Sequence, residues 1–469
     1  MPSDYAATSD SAATRETDRE RLNPSVFADG APAQTLSAWD AAMITVGIVI
    51  GATIFETPAL VANITGSPWW MLAAWLLGGA LTFIGALTYA ELATTYPSAG
   101  GDYAFLTRAY GRDVSFLFAW ARSLVIVTGS IALLGFVLGD YLTRLLPLGP
   151  YSSAIYAAAA VVLLTIVNII GLRSSSRMQN VLTILEISGV LLIALAGFLL
   201  DAPAAASAPA TQAPGLGAFG LAMVFVLLTF GGWNEAAYVS AEVRGGAPAV
   251  LRSLLSSIAL ITLVYVLFVL GVLHGFGFDG LRASEAIGVD IAERALGTGG
   301  GQVVGVLVAI AALTSMNSTM LVGARTNYSL GRDWPIFGFM GGWHGARSTP
   351  TIGFIVQAAI ALGLIFFGAL EKDGFSTMVE FTAPVFWFFF LLSGIALFVL
   401  RHKDPGTPRP FRVPLYPLVP IVFVLTCTYL LYSSITYAQS QNASWVALAV
   451  MASGVVVWAV IRIKGRVGV

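Results

Sequence analysis

The chain has 469 residues, of which 57% are hydrophobic and 10% are charged, and its mean hydropathy is +0.82. Soluble globular proteins carry about 25% charged residues, so this composition excludes that class and predicts an all-α integral membrane protein. The formal net charge of -1 argues against a nucleic-acid partner, and the single cysteine, Cys427, excludes an intrachain disulfide.

Apolar segments set the predicted order of the chain. Residues 1–36 are polar and lack the apolar core of a signal peptide, so we expect a disordered cytoplasmic tail. After this tail, twelve segments reach the length of about 20 residues that a membrane-spanning helix needs. Their predicted limits are 38–62, 68–96, 113–144, 151–171, 178–200, 216–242, 249–274, 300–329, 350–370, 374–401, 414–437 and 444–462.

The first of these segments contains a predicted interruption. Its middle, Gly47–Phe55, holds two glycines four residues apart and a threonine, and Pro58 follows. Glycine inside a helix costs about 1 kcal/mol relative to alanine, and backbone groups freed in hydrocarbon need new partners. Close helix packing is one use for such glycines. The other is a binding site, because the exposed N–H and carbonyl groups of two half-helices can hold a small zwitterion.

The sixth segment repeats this pattern. Leu228–Glu235 places the pair Gly231 and Gly232 inside an apolar helix. Since the two interruptions are five segments apart, the chain is predicted to contain two five-span repeats, and an odd number of spans inverts the second repeat. The predicted units are the first repeat at 37–201, an external loop at 202–215, the second repeat at 216–402, and helices 11 and 12 with the cytoplasmic C-terminus at 403–469.

Lysine and arginine predict the orientation of these spans. With a cytoplasmic N-terminus, nineteen of the 24 Lys and Arg residues fall on the cytoplasmic side and four fall on the outer side. The remaining one, Arg122, lies within the third span. Both termini are therefore expected to be cytoplasmic.

Five groups of residues, in order along the chain, resemble signatures of the amino acid–polyamine–organocation superfamily of secondary transporters, nearest its L-type amino acid transporter branch. The resemblance covers nearly the whole chain after about residue 36. The groups are Gly47–Phe55; Tyr89–Leu92 with Tyr96–Tyr103; Phe230–Asn234 with Glu242 and Val243; Ser315–Arg325 with Gly331–Asp333; and Leu400–Arg401 with Arg409–Pro414.

This resemblance implies a LeuT-like fold of twelve transmembrane helices, a 5+5 inverted repeat with broken helices 1 and 6 plus two extra helices. It also implies that the substrate carboxylate binds the N–H groups of Gly51, Ala52 and Thr53. The substrate amino group would then meet the carbonyls of Val49, Leu228 and Gly231. The other predicted contacts are Ile50 in the first break and, around the side-chain pocket, Ser130, Asn317 and Phe386.

Two departures from the L-type branch bear on the substrate. Gly51-Ala52-Thr53 stands where Gly-Ser-Gly is usual, and Leu228 replaces an aromatic gate residue. These changes leave the identity of the amino acid open.

A third departure is Glu186, which stands in span five where many members of the family carry a lysine. The resemblance places a cation or the lysine ammonium nearby. The oxygens expected around this cation position are the carbonyls of Gly47 and Ile50 and the hydroxyls of Thr314 and Ser315. A charge at the membrane centre costs at least about 2.5–3.5 kcal/mol. Three compensations are open: an ion pair with Arg122, a bound cation, or a proton on Glu186. For Arg122 itself, a structural role near the cytoplasmic surface is the alternative.

The sequence therefore predicts a secondary active transporter of amino acids in the plasma membrane that works by alternating access. Apolar surroundings that include Leu228, Phe386 and Trp387 favour a neutral side chain. A permease for cationic amino acids or polyamines, consistent with Glu235, and a non-transporting amino acid sensor on the same scaffold stay open. Coupling to a proton or sodium ion, or exchange, is also open. No cofactor, metal site or enzyme activity is predicted, because no catalytic or metal-ligating cluster is evident.

Overall fold

The computed structural model describes residues 36–98, 100–170, 176–201, 213–240, 243–284, 286–342, 350–371, 373–441 and 443–467. These residues are mostly helical, and the one β contact among them is an isolated bridge between Leu36 and Val243. The helices are α1 (Ala38–Val49), α2 (Thr57–Thr65), α3 (Pro68–Thr95), α4 (Asp102–Tyr110), α5 (Arg112–Ala121), α6 (Val127–Leu145), α7 (Ser152–Ile170), α8 (Ser176–Leu199), α9 (Leu216–Thr229), α10 (Ala236–Val239), α11 (Gly246–Ala283), α12 (Ile287–Leu296), α13 (Thr298–Asp333), α14 (Thr351–Ala369), α15 (Gly374–Lys403), α16 (Leu418–Gln441) and α17 (Ala443–Val467).

Three predictions from the sequence concern residues that lie mostly outside these described ranges. The tail at 1–36 is described only at residue 36, and the external loop at 202–215 only at residues 213–215. Glu242, which contributes to the family resemblance, lies outside the described residues as well.

Many of the helices are apolar and long. Among the described residues, eight could cross a membrane by length and composition: Pro68–Thr95, Arg112–Leu145, Ser152–Ile170, Gly246–Ala283, Gly299–Asp333, Thr351–Ala369, Gly374–Lys403 and Leu418–Tyr437. Four further apolar helices are shorter: Ala38–Val49, Thr183–Leu199, Leu216–Thr229 and Leu448–Ile463. Two of these four, α1 and α9, end at the predicted interruptions.

Helix α1 begins at a capping box and ends at a glycine. The Ser37 hydroxyl accepts the Asp40 N–H at 3.1 Å, and the Asp40 carboxylate accepts the Ser37 N–H at 3.0 Å. Helical geometry stops at Ile50, and Gly51 is extended, with ψ of -176°. A 3₁₀ turn, Ala52–Phe55, then leads into α2. The first segment is thus two half-helices joined by an extended residue.

The second interruption lies between α9 and α10. Phe230 closes the last turn of α9 by donating its N–H to the Val226 carbonyl at 3.0 Å. Gly232 then adopts φ of +99°, a left-handed conformation that favours glycine. A 3₁₀ turn, Trp233–Glu235, leads into the short α10.

Small residues let α8 and α11 pack closely. A Cβ atom built on Gly197 would lie 2.2 Å from the Gly271 carbonyl oxygen, and one built on Gly271 would lie 2.4 Å from the Ala194 carbonyl oxygen. Such backbone contact is typical of helices that associate within a membrane. Helix α11 also packs against α1 and α3, and this position buries Tyr265 of α11 completely.

The seventh and eighth apolar segments form longer helices than predicted. The segment at 249–274 is part of α11, which extends to Ala283 with a bend at Gly277. The segment at 300–329 is part of α13, which extends to Asp333. The additional residues of α11 include buried Phe276 and Leu281, so packing against protein sustains the helix past its predicted end.

Candidate functional site

The two interruptions contact each other. A Cβ atom built on Gly232 would lie 2.6 Å from Cγ2 of Ile48, so only a glycine lets the second break pass over the end of α1. Hydroxyls of Thr57 and Thr229 lie 2.7 Å apart and link the two segments again. Because Thr229 donates its own proton to the Phe225 carbonyl at 2.9 Å, Thr57 is the donor in this link. The breaks from the two halves of the chain therefore form one structure.

Tyr265 of α11 joins the broken ends. Its hydroxyl lies 2.6 Å from the Val49 carbonyl oxygen and 3.1 Å from the Thr229 carbonyl oxygen. Val49 and Thr229 are the last residues of α1 and α9, and the last carbonyls of a helix have no partner within it. The two helix ends thus share the single proton of one buried hydroxyl, which is closer to the Val49 carbonyl. Sequence reasoning missed this residue, since nothing in its local sequence marks it.

A cavity of about 140 Å³ opens beside the two breaks. Its walls come from both interrupted segments, from α6 and the π turn before it (Arg122–Ile126), from α13 and from α15. About half of the residues in the wall are aliphatic or phenylalanine. Hydroxyl groups are distributed around it, from Thr53, Thr57, Ser130, Thr229, Ser318, Thr319 and Thr382. The mixture suits a small molecule with a polar head and a largely apolar side chain.

Most of the predicted binding residues line this cavity, namely Val49, Gly51, Thr53, Ser130, Leu228, Gly231 and Phe386. Ile50 and Ala52 do not, and are 1% and 0% exposed. The extended backbone at Gly51 directs neighbouring side chains to different sides. Only alternate residues of the break therefore face the cavity, and the side chains of Ile50 and Ala52 pack against protein.

The backbone contacts predicted for the substrate need partial correction. The Gly51 N–H donates to the Val49 carbonyl at 2.7 Å, and the Gly231 N–H donates to the Leu228 carbonyl at 2.8 Å. Since Tyr265 also contacts the Val49 carbonyl, this carbonyl already accepts two hydrogen bonds. Hydrogen bonds within each break thus satisfy some of its own N–H and carbonyl groups. The N–H groups of Ala52 and Thr53, in the first turn of the new helix, are better placed to be free donors.

Asn317 lies away from the cavity, contrary to prediction. Its side-chain oxygen accepts a hydrogen bond from Asn168 of α7 at 2.7 Å. The cavity-facing residues of α13 are instead Ser318, Thr319 and Val322. These lie three, four and seven residues after Ser315, which is the spacing of one helix face. The helical period groups these residues on one face, and the packing of α13 directs that face towards the cavity.

Arg122 forms an ion pair with Glu235, and not with Glu186. Its Nη2 lies 2.8 and 2.9 Å from the two Glu235 carboxylate oxygens, and both residues line the cavity. Arg122 is 3% exposed, so it does not reach the membrane surface. The reason is positional: the π turn that starts at Arg122 directs it towards the turn after Gly232.

Glu186 of α8 is buried, at 7% exposure, and neither carboxylate oxygen has a hydrogen-bond partner among the described residues. It lies three residues after Thr183, whose hydroxyl donates to the Met43 carbonyl of α1, so this face of α8 is directed at the first helix. Helix α8 also packs against α11, the helix that carries Tyr265. Glu186 therefore lies on a helix that packs against α1 and α11, and it does not line the cavity.

The other predicted coupling residues are only partly brought together. Ser315 lies beside the first break, because its Oγ is 3.0 Å from a Cβ built on Gly51, and that Oγ has no partner in the described chain. Thr314 instead donates its hydroxyl to the Ile310 carbonyl at 2.9 Å. Gly47 and Ile50 are buried in the packing around α1.

A hydrogen-bond network lies on the side of the cavity where α1 begins. At its centre the buried Asp102 carboxylate accepts from Tyr89 at 2.6 Å and from Ser393 at 2.9 Å. It also accepts from Asn234 at 3.3 Å and from Tyr238 at 3.2 Å, both on the strand of chain that follows the second break. The network thus connects α3, α4, α10 and α15 beneath the cavity.

Helix α4 is also linked to the end of α13. The Tyr103 hydroxyl donates to the Asp333 carboxylate at 2.9 Å. Burial, and then the charge of Asp333, raises the pKa of Tyr103 to about 12. Its hydroxyl therefore remains a hydrogen-bond donor throughout the physiological range of pH.

Glu91 of α3 is a fully buried acid that forms an ion pair with Arg401. Its carboxylate lies 2.7 Å from Nε and 2.5 Å from Nη2 of Arg401, and it accepts the Val413 N–H at 2.7 Å. Glu91 is 0% exposed. The pair joins α3 to the end of α15 and to the segment that follows, which is a structural role.

Comparison with known proteins agrees with this architecture. Residues 36–461 match the sequence profile of the amino acid permease family, and the chain belongs to that family. It is a transporter of the amino acid–polyamine–organocation superfamily near the L-type branch, which confirms the resemblance seen in the sequence.

Individual relatives are similar over most of their length. The large neutral amino acids transporter small subunit 2 of Rattus norvegicus is 29% identical over 429 residues, which cover 88% of this chain and 78% of the relative. The human cystine/glutamate transporter is 27% identical over 406 residues, covering 84% and 78%. The serine/threonine exchanger SteT of Bacillus subtilis is 26% identical over 395 residues, covering 84% and 89%. The chain is therefore a multi-pass membrane amino acid permease rather than an enzyme.

Proposed function

We propose that this permease is a twelve-span secondary active transporter of neutral amino acids with a LeuT-like inverted repeat, and that it works by alternating access. The observation that carries the proposal is the meeting of two interrupted helices, joined by Tyr265, at the wall of one cavity. Secondary transporters of this architecture bind substrate where the discontinuous helices of two repeats meet.

The substrate head group is assigned to the breaks. The first helical turn after Gly51 carries the N–H groups of Ala52 and Thr53 and the positive end of a helix dipole, which attract the α-carboxylate. The Gly231 carbonyl and the end of α9 attract the α-ammonium. Both attractions use backbone, so they are independent of the substrate's side chain.

The side chain of the substrate extends among the apolar residues of α6 and α15. Leu133, Leu134, Val379 and Phe386 give this part of the wall an aliphatic and aromatic surface. A cavity of about 140 Å³ accepts a neutral amino acid but leaves little space for a solvated charged side chain.

Glu186 is proposed as the coupling residue. A buried carboxylate with no partner is costly in a membrane, and a proton or a cation would remove that cost. Its position on α8, which packs against α1 and α11, links the state of Glu186 to the helices that form and support the breaks. The alternative to ion coupling is the exchange of one amino acid for another. The name of one relative describes that protein as an exchanger.

A proteoliposome screen tests the proposed function. Purified protein is reconstituted, and uptake of each common amino acid is measured with no gradient, with a proton gradient, with a sodium gradient and with internal unlabelled amino acid. We expect uptake of one or more neutral amino acids. Binding in detergent without uptake under any of these conditions would contradict transport and favour a sensor.

Replacement of Glu186 tests its coupling role. Glu186→Gln keeps the size of the side chain and removes its charge, so we expect the dependence of uptake on pH or sodium to change while binding stays measurable. The pH and sodium profiles of the wild type and variant are compared in the same vesicles. Identical profiles would assign Glu186 a structural role.

A further inference from the structure

The cavity contains one ion pair that the proposed binding of the head group does not use. Arg122 and Glu235 both line the cavity, and their side chains are 4% and 15% exposed. Glu235 ends the 3₁₀ turn that directly follows Gly231 and Gly232. The pair therefore lies one turn beyond the break that holds the head group, within the same cavity.

Arg122 has side-chain contacts besides the ion pair, and the backbone of Glu235 is fixed by the turn after the second break. Arg122 donates from Nε to the Thr326 hydroxyl at 3.3 Å, and its guanidinium lies 4.6 Å from the centre of the Tyr238 ring. The Glu235 backbone N–H donates to the Gly232 carbonyl at 3.0 Å. Removal of Glu235 would thus leave the guanidinium of Arg122 held at the cavity wall, and removal of Arg122 would leave the carboxylate of Glu235 on a fixed backbone at the same wall.

The two charges of the pair cancel each other. The next acid, Asp102, is satisfied by four neutral donors and needs no cation from the cavity. The pair of Arg122 and Glu235 has no net charge, so a substrate with a charged side chain would be desolvated in the cavity without gaining a counter-ion. A neutral side chain has no such cost.

Resting on the proposed transport function, we propose that the Arg122–Glu235 pair determines the charge class of the amino acids that the cavity accepts. The paired state selects neutral side chains. Loss of Glu235 leaves a fixed guanidinium that selects an anionic side chain, such as that of glutamate. Loss of Arg122 leaves a carboxylate at the cavity wall that selects a cationic side chain, such as that of lysine. Specificity of this kind comes from an uncompensated charge that rejects the other classes.

Competition binding to the purified protein tests this proposal. Inhibition constants of L-leucine, L-glutamate and L-lysine are measured in detergent against the radiolabelled neutral amino acid that the wild type binds best. Relative to leucine, we expect glutamate to gain at least tenfold in Glu235→Gln and lysine to gain at least tenfold in Arg122→Gln. Asp113→Asn, which alters an exposed ion pair with Arg462, is the matched control and should keep the wild-type ratios.

Two double variants separate a charge filter from a direct ligand. The swap Arg122→Glu with Glu235→Arg, and the neutral pair Arg122→Gln with Glu235→Gln, both restore zero net charge. Both should prefer leucine. If a single variant does not fold, these two decide: preference for leucine supports the proposal, and loss of leucine binding in both folded proteins overturns it.

The proposal is overturned if Glu235→Gln and Arg122→Gln bind the three amino acids in the wild-type ratios. It is also overturned if both gain the same charged amino acid. Failure of the transport function would appear separately, as a wild type that binds amino acids without accumulating them in proteoliposomes.

Discussion

Tyr265 shows how one side chain supports the break in two helices. Its hydroxyl reaches the last carbonyl of α1 and the last carbonyl of α9, which are 180 residues apart in the chain. A buried acceptor left without a donor costs about 1–3 kcal/mol. The geometry of both breaks therefore depends on this hydroxyl.

We predict that Tyr265→Phe weakens substrate binding about tenfold, since about 1.4 kcal/mol corresponds to a factor of ten and the variant leaves at least one buried carbonyl unpaired. Affinity is measured by radioligand binding in detergent. Tyr429→Phe is the control, because the Tyr429 hydroxyl donates to the Leu216 carbonyl far from the breaks. Equal affinities in both variants would mean that the Tyr265 hydroxyl does not maintain the geometry of the binding site.

At the scale of elements, the interrupted segments require glycine for contact as well as for conformation. Gly232 has φ of +99° and contacts Ile48, whereas Gly66, at the end of α2, has φ of +62° and no atom within 4 Å of a built Cβ. The two positions thus share the left-handed conformation and differ in the space around them. Substitutions at the two glycines can therefore distinguish the effect of backbone strain from the effect of contact between the breaks.

We predict that Gly232→Ala lowers substrate affinity more than tenfold and reduces the melting temperature, because its Cβ would force the two breaks apart. Gly66→Ala should cost only the backbone strain, about 1–2 kcal/mol, and should leave affinity unchanged. Binding and thermal unfolding are measured for both variants. If the two behave alike, contact between the breaks is not essential.

The buried pair of Glu91 and Arg401 joins elements that are distant in sequence. It links α3 with the end of α15, 310 residues later. Removing one partner of a buried pair costs about 3–5 kcal/mol, whereas exposed pairs contribute about 0–1 kcal/mol. Position in the fold, and not charge alone, decides the energetic value of an ion pair.

We predict a large drop in the melting temperature of Glu91→Gln and a small one in Asp113→Asn. Glu91 is 0% exposed, while Asp113 and its partner Arg462 are 39% and 54% exposed at the side chain. Thermal unfolding of the detergent-purified variants measures both. A similar drop in the two proteins would show that burial does not determine the contribution of the pair.

At the scale of the whole molecule, orientation in the membrane is a prediction from lysine and arginine alone. It can be tested in a cysteine-free background, since Cys427 is the single cysteine. Leu148 and Gly406 are both exposed and lie at opposite predicted faces of the membrane.

We predict that a membrane-impermeant maleimide labels Leu148→Cys on intact cells, and labels Gly406→Cys only after the cells are permeabilised. The two variants serve as controls for each other, because each should react where the other does not. The reverse pattern would place both termini outside and overturn the proposed orientation.

The interruptions could be identified in the sequence because glycine acts locally. A glycine inside an apolar helix weakens that helix wherever it lies, so Gly51 and Gly231 marked the breaks before any contact was known. The family signatures were equally local. In contrast, the partner of Arg122 could not be chosen from sequence. Glu186 and Glu235 were both available, and a π turn together with the path of the second break selected Glu235, 113 residues away.

Asn317 illustrates the same limit within one helix. Its neighbours Ser315 and Ser318 were equally polar, and only the packing of α13 against α7 decided that Asn317 faces Asn168 while Ser318 faces the cavity. Tyr265 was not predictable, since its role depends on two carbonyls brought together from separate parts of the chain.

The sequence by itself determined that this is a helical membrane permease of a known superfamily and that two of its helices are broken. Composition, glycine positions and motifs are properties of short stretches, and their effects do not depend on distant residues. The tertiary structure decided which groups meet: the hydroxyl that joins the breaks, the acid that pairs with Arg122, and the faces that enclose the cavity. Contacts across more than a hundred residues follow from the packing of whole helices, and no short stretch of sequence contains that information.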